Sequence, residues 1–410
     1  MNKKKVYLLQ EIIPSYRVPI FKRLAQLDGI DLTVFYSRSS KAMLSENLKS
    51  AAILDGFRSV KIGLWEVGSS AYQFGICWRI LLGRPDVVIA GNADCLDRLA
   101  LLLVCKLLLI RVLWFQGGVP FIDEKKIQAF ANRGRFNRWF GTYNPKRWLV
   151  SLADGVIAYS EHAKHYVMRE EGFREEQVWV APNSPDTEAL GRYRQTWLER
   201  SEILASERKR FSPQGQNVIF LLGRLNRDRK VDVLMQALSC LHQKGLNVSL
   251  VLVGDGSERN HLESMARQLN LSPVFFEGAI YDEMELSKYF MISDIFVTPG
   301  VSSLAIKMAM FFGKPVVTVD YGLEVHDVRE GHNGFIFPMD NVDILAEKLL
   351  ELLQSEALST RIGQGGIATM QDKINVGQMV EGFRQAIFAE PEFRDLVVTT
   401  DETDMMNKRN

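Results

Sequence analysis

The sequence predicts an α/β protein made of two doubly wound parallel sheets that face each other across a cleft. Three observations predict it. The chain has 410 residues, more than one hydrophobic core usually serves. Short apolar, β-rich runs alternate with helical patterns from end to end, as repeated βα units do. A polar, charged stretch at 187–216, ending in Pro213 and Gly215, divides these units into two sets.

Taken in order, the first set has strands expected at 5–12, 31–36, 86–90, 110–115, 155–159 and 177–181. Runs such as "DVVIA" and "GVIAY" are continuously apolar, as parallel strands covered on both faces should be. The second set has strands expected at 217–223, 248–254, 273–278, 294–299 and 314–320, with helices such as "VDVLMQALSCLHQKG" and "VDILAEKLLELLQ" between or after them. Two domains follow at 1–186 and 217–372, joined by a helix and connector at 187–216. A last helix and a polar, disordered tail are expected at 373–410. The apolar run 99–115 carries Lys106 and Arg111, so it reads as a buried helix leading into a buried strand and not as a membrane span. The start, "MNKKKVYLLQEIIPSY", puts Gln10 and Glu11 where an export signal would be apolar. It reads as the first strand of a cytoplasmic protein.

Composition excludes some functions. With 47% hydrophobic and 24% charged residues and a formal charge of +1, the chain is an ordinary globular protein and no dedicated nucleic-acid binder. Its four cysteines form no CxxC pair and read as reduced core thiols in a reducing compartment. No Asp-x-Asp occurs, so neither metal nor cofactor is expected. His162 and His165 stand at metal-ligand spacing, but without cysteines or a motif a solvated helix face explains them.

Ligands of doubly wound sheets bind beyond the carboxyl ends of the strands, so the residues following each strand are the candidates. After "NVIFLLG", which ends in Gly223, come Arg224 and, at the start of the next helix, Lys230. A helix N-terminus with two cations suits a diphosphate; a solvated basic turn, with Arg227 and Arg229 in it, is the alternative. After "DIFVTP" come Gly300, Ser302 and Ser303, where hydroxyls and N–H groups could hold phosphate oxygens or simply cap the helix. On the first domain, Arg17 could meet a phosphate or pair with a surface acid. Asn92 and Gln116 end strands. Gln116 can orient a reacting hydroxyl but is no base. Asn183 and Asp186 close the domain and either face the cleft or cap a turn.

The second half is similar to the carboxyl domain of the GT-B glycosyltransferases of family 4, whose two domains are Rossmann-like. The residues carrying the likeness are "GRLNRDRKVDVLMQAL", "LVLVGDGSERNHL", "VFFEGAIYDEMELSKYFMISDIFVTPG", "AMFFGKPVV" and "REGHNGFIF". The first half resembles that family's acceptor domain through "PSYRVPIFKRLAQ", "RPDVVIAGN", "WFQGG", "ADGVIAYSEHAKHYV" and "VAPNSPD". The resemblance implies that Arg224 and Lys230 grip the donor diphosphate. Gly254, Asp255 and Gly256 match a donor-side loop, Ile280 and Tyr281 the segment that reads the base, and Asn333 and Gly334 a late turn near the cleft. The family's paired glutamates are replaced by Gly300 and Met308. Lys307 lies beside the second slot but about 100° round the helix. The resemblance also implies a nucleotide-sugar donor, a glycan acceptor and retention at the sugar carbon, with a donor oxygen taking the acceptor's proton. Such a mechanism rests on stabilising the departing diphosphate, which the missing acids do not do.

The stretch 125–148 holds seven Lys or Arg and no acid. It interleaves Arg135, Arg138, Lys146 and Arg147 with aromatics that include Trp139 and Trp148. An anionic membrane surface, single-stranded nucleic acid and a cleft loop are its possible contexts; the first is favoured, at the inner face of the membrane beside a lipid-linked glycan. The expectation is a retaining, metal-independent hexosyltransferase of envelope polysaccharide synthesis. A catalytically silent binding subunit and a sugar-nucleotide epimerase or hydrolase are the rivals.

Overall fold

The computed structural model describes residues 3–37, 54–67, 70–91, 95–116, 151–271, 273–301, 304–322 and 324–390. Elements are numbered here among these residues. The first domain comprises β1 (Lys4–Gln10), α1 (Val18–Gln26), β2 (Ile30–Tyr36), β3 (Arg58–Lys61), β4 (Gly63–Val67), β5 (Ser70–Phe74) and α2 (Ile76–Gly83). It continues with β6 (Val87–Gly91), α3 (Cys95–Leu107), β7 (Arg111–Gln116), β8 (Gly155–Ala158), α4 (Glu161–Glu171) and β9 (Val178–Val180). Its parallel sheet has the order β3-β2-β1-β6-β7-β8-β9, and β4–β5 forms a separate hairpin.

The second domain comprises α5 (Thr187–Glu199), α6 (Ser201–Phe211), β10 (Asn217–Leu222), α7 (Val231–Gln243), β11 (Val248–Val253), α8 (Arg259–Gln268) and β12 (Val274–Gly278). Then follow α9 (Glu283–Ile292), β13 (Ile295–Thr298), α10 (Ala305–Phe311), β14 (Val316–Val319), β15 (Gly334–Phe337), α11 (Val342–Gln354) and α12 (Glu356–Asp372). Its parallel sheet has the order β12-β11-β10-β13-β14-β15. A final helix, α13 (Val376–Phe388), returns to the first domain.

Burial on both faces explains the apolar runs. In β1, Val6 and Leu8 enter one core while Tyr7 and Leu9 enter another. In β10, Ile219 and Leu221 pack beneath α7 and α11, and Val218 and Phe220 beneath α9 and α10. Each such side chain contributes about 1.5–3 kcal/mol of transfer free energy. Cys105 and Cys240 are free thiols; burial pushes Cys105 up to about 12, so it is inert.

The structure differs from expectation in four places. The 187–216 segment is no loose connector: α5 and α6 pack on the second sheet, with Trp197 Nε1 donating to Met284 O and Ser287 Oγ, each at 2.9 Å. Strand β15 and the β4–β5 hairpin carry too few alternating residues to stand out in the sequence. Helix α3 is not wholly buried, because Leu103 and Leu107 face outward. The last helix, expected within 373–410, belongs to the first domain's own core, since Met379 and Phe383 of α13 pack with Leu8 and Phe21. The expected tail at 391–410 lies outside the described residues.

Candidate active site at the facing sheet ends

In the second sheet the strand order reverses between β10 and β13, so the turns that follow them meet at the switch point where doubly wound sheets bind ligands. The two turns are locked together. Val301 N–H donates to Asp228 O at 3.1 Å, and Arg229 Nη1 donates to Val301 O. A Cβ on Gly300 would lie 2.2 Å from Asp228 O, so only glycine fits. A third turn, "GDG", supports the first from below. Leu225 N–H donates to Asp255 O at 3.0 Å, and a Cβ on Gly254 would meet Gly223 O at 1.8 Å. The Asp255 carboxylate accepts from Gly256 N at 2.8 Å and lies 3.7 Å from Arg259, and its loop buttresses the Arg224 turn.

The expected pair Arg224 and Lys230 is split. Lys230 adopts φ 53°, and its ammonium lies 2.8 Å from Asp340 after β15, an exposed pair. The preceding 3₁₀ turn, Arg227–Arg229, instead lays the Arg229 guanidinium over Gly223, about 3.7 Å from where a Cβ would sit. Burial pulls the Arg229 pKa below its usual value, with Asp228 and Glu324 opposing and Arg224 reinforcing that shift. Arginine remains charged regardless. Arg224 is half-buried and has no ion pair among the described residues. Arg224 and Arg229 thus lie close enough to interact beside Gly223, while Lys230 is engaged by Asp340. The run "RDRK" offers three cations, and only the left-handed turn at 230 decides which one faces inward.

Other expected donor residues are structural. Asn333 is fully buried. Its Oδ1 accepts from Arg329 N at 2.7 Å, and its Nδ2 donates to Asp327 O and Thr369 Oγ1, each at 3.0 Å. Lys307 is buried too, paired with Asp327 at 2.9 Å and donating to Asn183 O at 2.7 Å. Met308 belongs to an apolar cluster with Phe290 and Phe312. The absent acids thus fit the packing: one slot has no room for a side chain, and the other is core. Tyr281 is exposed after the edge strand β12, and Ile280 packs against the α9–α10 core.

On the first domain, Arg17 pairs with no surface acid among the described residues. It is 3% exposed, beside the rings of Tyr16, Phe115 and Tyr159, donating to Asn183 Oδ1 at 2.9 Å and Met379 Sδ at 3.1 Å. Asn183 therefore links Arg17 of one domain to Lys307 of the other where the chain crosses between them. Asp186 caps α5, accepting from Ala189 N at 3.0 Å. Gln116 is the last residue of β7, paired with Ala158. Asn92, Ser302, Ser303 and the patch residues Arg135, Arg138, Trp139, Lys146, Arg147 and Trp148 lie outside the described residues.

One contact has no signal in the sequence. His162, at the start of α4, stacks on His326 of the turn after β14, with ring centroids 3.5 Å apart and 8° between planes. The carboxyl ends of the two sheets thus face each other. Burial lowers both pKa values; Arg169 and His165 add to the effect on His162, and His162 to that on His326.

Residues 202–369 match the family model described as Glycosyl transferases group 1. The second domain belongs to the group 1 glycosyl transferases. The capsular polysaccharide biosynthesis glycosyltransferase CapM of Staphylococcus aureus is 24% identical over 268 residues, 62% of this chain and 68% of CapM. A GDP-mannose-dependent alpha-mannosyltransferase of Mycobacterium tuberculosis is 31% identical over 143 residues, covering 34% of each chain. Among solved structures, a glycosyltransferase from Rickettsia africae superposes with a TM-score of 0.66 at 14% identity, covering 94% of this chain and 98% of its own. The Anabaena protein HepE, in complex with UDP, superposes with a TM-score of 0.65 at 16% identity over 94% and 99%. The chain thus has the two-domain GT-B fold.

Proposed function

We propose that this glycosyltransferase moves a hexose-type sugar from a nucleotide-sugar donor to a glycan acceptor, with retention and without a metal ion. The observation that carries the proposal is the locked pair of turns at the β10–β13 switch point, with Arg224 and Arg229 as its cations. Preorganised N–H groups and guanidinium groups aimed at a departing diphosphate lower the barrier without solvent reorganisation. They supply the positive charge that a divalent ion would otherwise bring. Neither Gly300 nor Met308 can offer an acid, so the acceptor proton goes to a donor phosphate oxygen.

Solved relatives support the ligand class: HepE is also recorded with UDP and glucose, and the Staphylococcus aureus protein TarM with UDP and alpha-GlcNAc-glycerol. The names of CapM and of the mycobacterial phosphatidylinositol dimannoside mannosyltransferases support a capsule-type glycan and a lipid-linked acceptor. The proposal places the enzyme peripherally at the inner membrane face, beside such an acceptor. The same two absent acids favour one rival, a silent nucleotide- or glycan-binding subunit. Release of nucleoside diphosphate from a panel of nucleotide sugars, with membrane extract as acceptor, tests the proposal. Binding without turnover for every donor would select the rival.

A further inference from the structure

Six of the ten exposed large apolar side chains among the described residues lie on α2, α3 and the turn after α3, so they form a cluster and not a scatter. The two helices pack against each other on one flank of the first domain. Each turns an i,i+4 apolar pair outward: Trp78 and Leu82, 63% and 70% exposed, and Leu103 and Leu107, 57% and 83% exposed. The turn adds Leu109, 90% exposed at φ 56°, where a helix end ordinarily takes glycine. A strained, solvent-facing leucine does nothing for the fold.

Cations accompany these side chains. Arg79 and Arg84 are exposed and form no ion pair among the described residues, and Lys106, paired with Asp154, stands between Leu103 and Leu107. Among the described residues no helix is long and apolar enough to cross a membrane.

We propose that the outer face of α2 and α3 inserts into the interface of an anionic lipid bilayer. This deepens the membrane part of the proposed function and rests on it. The apolar side chains protrude instead of lining a groove. A fluid acyl phase accepts protruding side chains without shape complementarity, whereas a folded partner would need matching hollows. Trp78 suits the headgroup boundary, and Arg79 and Arg84 complement anionic headgroups. The surface shares no residue with the basic stretch 125–148.

Co-sedimentation of the full chain with vesicles of phosphatidylcholine, alone or mixed with phosphatidylglycerol, tests this. The variant Trp78→Ser/Leu107→Ser/Leu109→Asn should bind mixed vesicles at least about tenfold less while keeping its melting temperature. Arg79→Ser/Arg84→Ser, which keeps all the outward apolar side chains, should lose about 20-fold on mixed vesicles and nothing on neutral ones. Wild type that binds no vesicle overturns the membrane reading itself. Wild type that binds while both variants bind equally well, and Arg135→Ser/Arg138→Ser/Lys146→Ser/Arg147→Ser does not, overturns only the assignment to α2 and α3. Lipid-free dimerisation abolished by the apolar variant would assign this face to a second copy and overturn it too.

Discussion

Replacing Arg229 by Ala should lower turnover far more than replacing Lys230, although both are cations of the same turn. Arg229 donates a charge-assisted hydrogen bond to Val301 O and covers Gly223 at the switch point. Losing that bond costs about 1.5–3 kcal/mol of stability, which a domain with about 5–15 kcal/mol can bear. Losing a preorganised donor to the departing diphosphate costs about 2.7–4 kcal/mol in the transition state, or about 10²–10³ in kcat. Lys230 holds only its exposed pair with Asp340 at 2.8 Å, worth about 0–1 kcal/mol. Its Ala variant should keep turnover within about fivefold, since 1.36 kcal/mol is a factor of ten. The assay is nucleoside diphosphate release at saturating donor, with melting temperatures confirming that both variants are folded. A drop of 100-fold or so for Lys230→Ala, with Arg229→Ala near wild type, would refute the placement of the two cations.

Restoring an acid by Gly300→Glu should fail: its Cβ would sit 2.2 Å from Asp228 O, so urea unfolding should show a loss of at least about 2 kcal/mol and activity should not rise. Lys307→Met should cost about 3–5 kcal/mol by urea unfolding, because Asp327 and Asn183 O lose their buried partner. The His162–His326 stack makes stability depend on pH. Both imidazoles titrate lower in the folded protein than their ordinary 6.5, so the unfolded chain binds protons first, and stability falls as pH drops below about 6.5. His326→Gln should flatten that slope in melting curves taken between pH 7.5 and 5, roughly a unit either side of an unperturbed histidine.

The doubly wound architecture was legible because its strands announce themselves: Val6 to Leu9 fill two cores at once, and no amphipathic reading competes. Strand order was not, since nothing local to "NVIFLLG" or "DIFVTP" says that those strands are neighbours. Helix starts suggest an anion site after each strand; that the two turns are locked together follows only from the crossover. Arg229 was missed because the choice among three adjacent cations depends on one backbone angle at residue 230. Asn333 and Asn183 were overread: an amide after a strand looks available to a ligand until its partners, Arg329 N and Thr369 for one and Arg17 and Lys307 for the other, are in place. The His162–His326 stack joins distant segments through a surface that neither segment encodes alone.

Because α13 returns to lie on β8 and β9, and Arg111 Nη1 clasps its end through Ala386 O and Ala389 O at 2.8 and 2.7 Å, the first lobe does not correspond to one uninterrupted stretch of gene. A chimera that trades donor lobes between relatives must be spliced twice, near residues 186 and 373. A fragment stopped at either junction alone would leave Leu8, Phe21 and Phe115 facing water.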